Sequence, residues 1–333
     1  MPDSRSISRL ATLLIGIVLA TALGIVLFWA VPTFTPIGIL SLVLIVLVVI
    51  LGTITAARIA NRLFPDYTVA EVEVANAITR DGQMGPLPFA GRAASADDIV
   101  EQIERADADS SVQGLIVKLN TPGGEVVPSE DIRQAVADFD GPTVAYAEDM
   151  AASGGYWIAS GADEIHARRG TIVGSIGVNG VQLGREELRD KLGLEYRRFV
   201  VGDYKDSPSP WRAIGDDEVA YFQGLLEGFY EQFVETVVEG TELEETVVED
   251  TQARLYLGND AAEMGLVDAC GSRQEMEDRL AERIGIDEVS VSEFEPQRGI
   301  ASRARKGAES VAHAFGAGIA SAVVGEERLE IRV

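Results

Sequence analysis

Hydrophobic and polar positions divide the chain into an apolar lead, a mixed middle and a small, polar end. Between Arg9 and Arg58 lie 48 residues without a charge, dominated by Leu, Ile, Val and Ala. One bilayer crossing takes about 20 apolar residues, so the interval predicts two transmembrane helices, at about 10–31 and 37–57. Pro32 and Pro36 break it in between, where one helix ends and the next begins. A cleaved signal peptide is far shorter. Residues 1–62 therefore read as a membrane anchor, a helical hairpin in a lipid bilayer.

The pattern changes at Val69. Residues 69–78 alternate apolar with small or polar side chains and predict a strand. Residues 94–106 are helical, with Ser95 as N-cap ahead of Asp97 and Asp98. The runs 114–119 and 143–147 are short and apolar, which predicts buried strands. A turn at 120–124 and a helix at 129–139 separate them. Residues 152–161 look helical, opening at Ser153, and 164–167, 171–178 and 195–201 look strand-like. Residues 216–239 form an amphipathic helix whose stripe of Val219, Phe222, Leu226, Phe229, Phe233 and Val237 is expected to be mostly core. Residues 241–250 are an acidic helix or loop. Strands alternating with helices at this spacing predict an α/β domain over 66–292 with largely parallel sheets. The tail, 293–333, is small and polar, with an amphipathic helix or partly disordered segment at 301–324.

Charge narrows the function classes. The net charge is -25, and such a surface repels phosphate, which argues against nucleic acid as a partner. Lys118, Lys191, Lys205 and Lys306 are the only lysines; the other 24 of the 28 basic residues are arginines. An acidic, lysine-poor surface fits a halophilic protein, because dense salt screens its carboxylates. A GC-rich genome, with arginine codons displacing lysine codons, gives the same balance. The one cysteine, Cys270, and two histidines, His166 and His313, leave no intramolecular disulfide and no metal cluster. The glycine-rich spots match neither a phosphate loop nor a dinucleotide fingerprint, so no cofactor is expected. Arg5 and Arg9 flank the first apolar span and Arg58 and Arg62 the second. The positive-inside rule then puts both flanks, and the domain, in the cytoplasm.

Two residues invite a chemical reading. Ser153 follows a buried strand and a short turn and precedes two glycines, where free backbone N–H groups gather. A hydroxyl there could attack a carbonyl while nearby amides hold the oxyanion. A helix-capping serine explains the same stretch without chemistry. Neither histidine is placed to complete a Ser-His-Asp set. A lysine can act as base where burial lowers its pKa, and Lys205 lies in the turn-rich stretch 202–210. A solvated loop lysine explains that position equally well.

Four motifs add to this reading: Leu119-Asn-Thr-Pro-Gly-Gly-Glu125, Asp149-Met-Ala-Ala-Ser-Gly-Gly-Tyr156, Thr171-Ile-Val-Gly-Ser-Ile-Gly-Val178 and Gly202-Asp-Tyr-Lys-Asp206. With Arg254-Leu-Tyr-Leu-Gly258, Ala261 and Gly265-Leu-Val-Asp268, they give residues 69–283 a resemblance to the signal peptide peptidase A (protease IV) family of serine peptidases. The resemblance implies a crotonase/ClpP-like spiral of ββα units. It implies Ser153 as nucleophile, Lys205 as general base and Ser175 as the hydroxyl that orients the lysine amine. It implies an oxyanion hole from the amides of Gly124, Gly154 and Gly123. It also implies a homo-oligomer in which serine and lysine meet across a protomer boundary, and hydrophobic peptides, such as remnant signal peptides, as substrates.

Two departures stand out. Threonine occupies the place before Pro122 where the family often has serine. Two spans leave the domain on the side of the N-terminus, whereas many relatives have one span and an extracytoplasmic domain. The expectation is therefore a multi-pass cell-membrane protein, with the charge rule and the family disagreeing on the face. The competing readings are an acyl-CoA-handling crotonase, which needs no lysine base, and a catalytically silent membrane scaffold.

Overall fold

A computed structural model describes residues 4–30, 39–63, 65–83 and 93–296. Its first two elements, α1 (Ser4–Ile25) and α2 (Ile39–Leu63), pack against each other. A π-helical turn, Val26–Ala30, continues α1. Small residues let the backbones approach: a Cβ on Gly16 would stand 2.2 Å from that of Ala56, and one on Gly52 the same distance from that of Ala20. Such small-on-small contact is how helices associate in a medium as apolar as their side chains. Both helices are long and apolar enough to cross a membrane, and their outward faces expose Leu14, Val18, Leu47 and Leu51. The expected break at Pro32 and Pro36 lies outside the described residues.

The remaining elements follow in chain order. They are β1 (Val69–Ala75), β2 (Ile78–Thr79), β3 (Ala94–Ser95), α3 (Ala96–Asp107), β4 (Gly114–Thr121), α4 (Val126–Ala137), β5 (Thr143–Ala152), α5 (Gly154–Ala159), β6 (Glu164–Ala167) and β7 (Ile172–Gly174). After these come α6 (Glu186–Lys191), α7 (Asp216–Gly240), α8 (Glu245–Asp250), β8 (Leu255–Leu257), α9 (Gly258–Glu263), β9 (Ala269–Cys270), α10 (Arg273–Ile284) and β10 (Val291–Glu293). The main sheet runs β10-β1-β4-β5-β6-β9 with every neighbour parallel. Apolar runs such as Leu115-Ile-Val117 are buried from both sides, as a sheet covered on both faces requires. On one face, Met276 and Leu280 of α10 close over Val69, Ile116, Val144 and Tyr146.

Strand β5 positions the site because it pairs with two different strands in succession along the same edge. Its first half, Val144–Ala147, pairs with β6, and its second half, Met150–Ala152, pairs with β7. Strand β7 in turn pairs antiparallel with β8. A register shift between Leu119 and Thr121 bends β4 alongside. The two bent strands thus carry their loops, 121–124 and 152–154, out at one end of the sheet.

Most expected elements stand near their places, and Ser95 caps α3 by accepting from the Asp98 N–H at 3.2 Å. Two expectations need correction. Residues 195–201 form no strand: the segment finds no ladder, and Phe199 and Val201 are 88% and 97% exposed. Three apolar residues beside Arg197 and Arg198 have neither a core nor a neighbouring edge to fix them. The apolar stripe of α7 is core only toward its C-terminal end, at Phe233 and Val237; Val219 and Phe229 lie in the open. The expected helix at 301–324 and His313 lie outside the described residues.

Candidate active site

A cavity of about 590 Å³ opens where the β4 and β5 loops meet; Ser153, Ser175, Gly123, Gly124 and Gly154 all lie on its wall. Ser153 links β5 to α5 with φ +54° and ψ −119°, and its side chain makes no capping hydrogen bond. The helix-cap explanation therefore does not describe it. A non-glycine residue held in this region costs about 1–3 kcal/mol and persists only where its surroundings over-determine it. Here they do. The Ser153 N–H donates to the Gly174 carbonyl at 2.9 Å, and the Ser153 carbonyl accepts from the Tyr156 and Trp157 N–H groups at 2.9 Å each. A strained serine on a sharp strand-to-helix turn presents its hydroxyl outward.

Small residues let the neighbouring turn come close. A Cβ on Gly154 would lie 2.5 Å from Ser129 Oγ and 3.1 Å from the Gly124 nitrogen. The backbone bonds of the two turns leave the N–H groups of Gly124 and Gly154 without an acceptor among the described residues. Gly123 differs. Its N–H donates to Thr121 Oγ1 at 3.0 Å, so it has no free donor to offer, and its expected share in an oxyanion hole reduces to shape. It adopts φ +96°, and a Cβ there would meet the Gly154 nitrogen at 2.5 Å. Thr121 Oγ1 also donates to the Asn76 carbonyl at 2.5 Å. The threonine that replaces the family's serine thus keeps the hydroxyl that shapes this turn.

Ser175 sits at φ +52° directly after Gly174, the residue clipped to Ser153. Its own N–H donates to the Arg254 carbonyl at 2.9 Å. Lys205 is elsewhere: it is exposed, in the turn after α6, and does not line the cavity. Five of the six expected site residues therefore share one cavity within a chain, and Lys205 stands apart from it.

Trp157 and Phe233 also form the cavity wall. Their rings lie 4.5 Å apart, and Trp157 Nε1 donates to Glu130 Oε2 at 2.6 Å. Sequence reasoning gave Phe233 a core role only. Periodicity marks a residue as inward-facing but not whether the inside is core or cavity.

His166 lies in β6 opposite Tyr146, away from the cavity. It is 1% exposed, and neither ring nitrogen has a hydrogen-bond partner among the described residues. Burial pushes its pKa below the ordinary histidine value. The folded state therefore binds the proton more weakly than the unfolded chain, and stability falls as the pH drops below the unfolded value of about 6.5. Thermal melts from pH 7.5 to 5 should show a falling melting temperature that flattens in His166→Leu. Parallel curves would refute this source.

The fold and site define an α/β protein with a strained serine elbow facing two unsatisfied amides. Residues 137–287 match peptidase family S49. A Methanocaldococcus jannaschii protein named as a protease is 30% identical over 81% of this chain and 88% of its own length. An Enterococcus faecium protein named as a signal peptide peptidase is 31% identical over 59% of this chain and 58% of its own length. Protease 4 of Haemophilus influenzae is 34% identical over 55% of this chain, which spans 30% of that longer protein. The chain belongs to peptidase family S49, the family of signal peptide peptidase A and protease IV.

Proposed function

We propose that the protein is a membrane-anchored serine endopeptidase that cleaves hydrophobic peptides, such as remnant signal peptides, with a Ser153–Lys205 dyad. The observation that carries this is Ser153 itself, strained outward and facing the unpaired N–H groups of Gly124 and Gly154. In the reaction, the Lys205 amine takes the proton of Ser153 as Oγ attacks the scissile carbonyl. The Gly124 and Gly154 N–H groups hold the oxyanion that forms. Collapse breaks the C–N bond, and the lysine ammonium protonates the leaving amine. Water, deprotonated by the same amine, then frees the acyl group from Ser153. The Ser175 hydroxyl orients the amine.

Lys205 reaches the serine of a second copy, which makes the active unit a homo-oligomer. What supports this is the exposed apolar surface of the segment that carries the lysine, 175–215, in which Val181, Leu183, Phe199 and Val201 are all more than two-thirds bare. A single chain leaves that much apolar surface uncovered only where something else covers it. The α1–α2 hairpin anchors the domain in the bilayer, on the same side as the N-terminus. Trp157 and Phe233 give the cavity an apolar wall suited to an apolar side chain before the cut.

The test uses the full chain in detergent at high salt with a fluorogenic hydrophobic peptide. Cleavage should occur, and a peptide aldehyde with an apolar terminal side chain should block it by capturing the serine hydroxyl as a hemiacetal. An assembled preparation that cleaves no such peptide would remove the peptidase reading and leave the scaffold. Protease protection in sealed vesicles reads the membrane face.

A further inference from the structure

The segment that carries Lys205 has little apolar burial to fix its shape. Between β7 and α7, residues 175–215 contain one six-residue helix and no strand. A stretch so poor in buried contacts belongs to the low-stability end of a structure. Its lysine turn is nevertheless tied down by charge. Asp206, the residue after the lysine, accepts from Arg198 Nε at 3.0 Å on each oxygen and from Arg212 Nη2 at 3.3 Å. Arg212 also grips Glu218, in the first turn of α7, with both prongs, at 2.6 and 2.5 Å. Glu218 is buried and further accepts from Ser207 Oγ and from the Gly215 N–H.

We infer that Arg212, with Asp206 and Glu218, is a positioning residue that clamps the Lys205 turn to the start of α7 and so fixes where the amine is presented; the inference rests on the Ser153–Lys205 reading. Single exposed ion pairs contribute little. A two-pronged guanidinium fork linking two carboxylates fixes geometry as well as energy; here it holds the backbone after the lysine, while Arg198 Nη2 donates to the Asp203 carbonyl before it at 2.8 Å. The clamp also occupies Asp206. Among the described residues Lys205 has no ion pair, because the carboxylate beside it is committed to Arg198 and Arg212. The arrangement persists across the neutral range: the Arg212 fork and the Gly215 N–H hold the Glu218 carboxyl down to about 2, and Arg198, then Arg212, holds Asp206 well below the usual carboxylate range.

The test compares Arg212→Ala and Asp206→Asn with Lys205→Ala in the assembled, detergent-solubilised protein. A displaced base costs rate rather than binding, and about 1 Å of displacement can cost a hundredfold. The expected result is a fall in kcat of about ten- to a hundredfold in both clamp variants, with KM within about twofold and assembly unchanged. Guanidinium at a non-denaturing concentration should refill the notch in Arg212→Ala and restore kcat severalfold. It should do nothing for Lys205→Ala. The clamp is refuted if both clamp variants keep kcat within about twofold. It is equally refuted if their loss tracks lost assembly and ignores guanidinium. Failure of the underlying reading looks different: Lys205→Ala itself then stays active, whatever the clamp variants do.

Discussion

Ser153→Ala and Lys205→Ala will each abolish peptide cleavage, and mixing the two dead proteins will bring part of it back. Removing a nucleophile that acts together with its base typically costs about 10⁴-fold or more in kcat, and removing a general base about 10²–10⁴-fold. Restoration follows from geometry. Ser153 lies on a cavity that Lys205 of the same chain does not line. If the site draws its serine from one subunit and its lysine from the next, a site is whole when the first carries only the lysine substitution and the second only the serine substitution. Random mixing at equal amounts gives that combination at about one site in four of a closed head-to-tail ring. The mixture should reach about a quarter of wild-type activity once subunits exchange. An intramolecular dyad gives none. Size-exclusion profiles that match wild type for both variants separate lost chemistry from lost assembly. No recovery after demonstrated exchange would end the shared-site reading.

The parts of the fold legible in the sequence are those where local pattern and tertiary partner agree. The 48-residue interval without charge announces two apolar helices whatever they pack on. Strands β4 and β5 read as apolar runs because both faces of the main sheet are covered, and Ser95 reads as a cap because capping needs only its own helix. What stayed illegible depends on a partner that local pattern does not name. The second half of β5, Asp149-Met-Ala-Ala152, is too short and mixed to read as a strand, yet β7 makes it one. Residues 195–201 show the converse: β-prone side chains without an edge to join.

The site divides along the same line. The Gly-Gly and Ser-Gly-Gly stretches mark places where backbones come close, and family motifs connect them to a reaction. Backbone handedness at Ser153 is a different matter, since no residue type in Ala-Ala-Ser-Gly-Gly requires φ +54° for the serine. It follows from the bond to Gly174, a residue 21 positions on. The division of labour between Gly123 and Gly124 is hidden for a similar reason. Which amide is free depends on where the Thr121 hydroxyl points.

That division of labour predicts that Gly124→Ala will lower kcat about 10²–10³-fold while leaving KM nearly unchanged. The new Cβ would stand 2.1 Å from the Ile78 carbonyl oxygen and 2.5 Å from its nitrogen. These are backbone atoms, so no side chain can swing away. Either β2 moves or the Gly124 peptide rotates. The bonds from Ile78 N–H to the Gly123 carbonyl and from Glu125 N–H to the Ile78 carbonyl, each 3.0 Å, hold β2 in place. Rotation turns the amide away from the oxyanion, and losing one such donor costs about 2.7–4 kcal/mol in the transition state. The ground-state carbonyl carries little charge, so binding changes far less. Gly154→Ala should do less harm, because its closest clash, at 2.5 Å, is with Ser129 Oγ, a side-chain atom that can turn away at the loss of one hydrogen bond, to the Glu125 carbonyl. Gly170→Ala is the control, with nothing within 4 Å of the added carbon. The expected order of kcat is therefore Gly170→Ala, then Gly154→Ala, then Gly124→Ala. Gly124→Ala with kcat within about threefold of wild type would exclude its amide from the oxyanion hole. A loss expressed mainly in KM would place Gly124 in substrate binding instead.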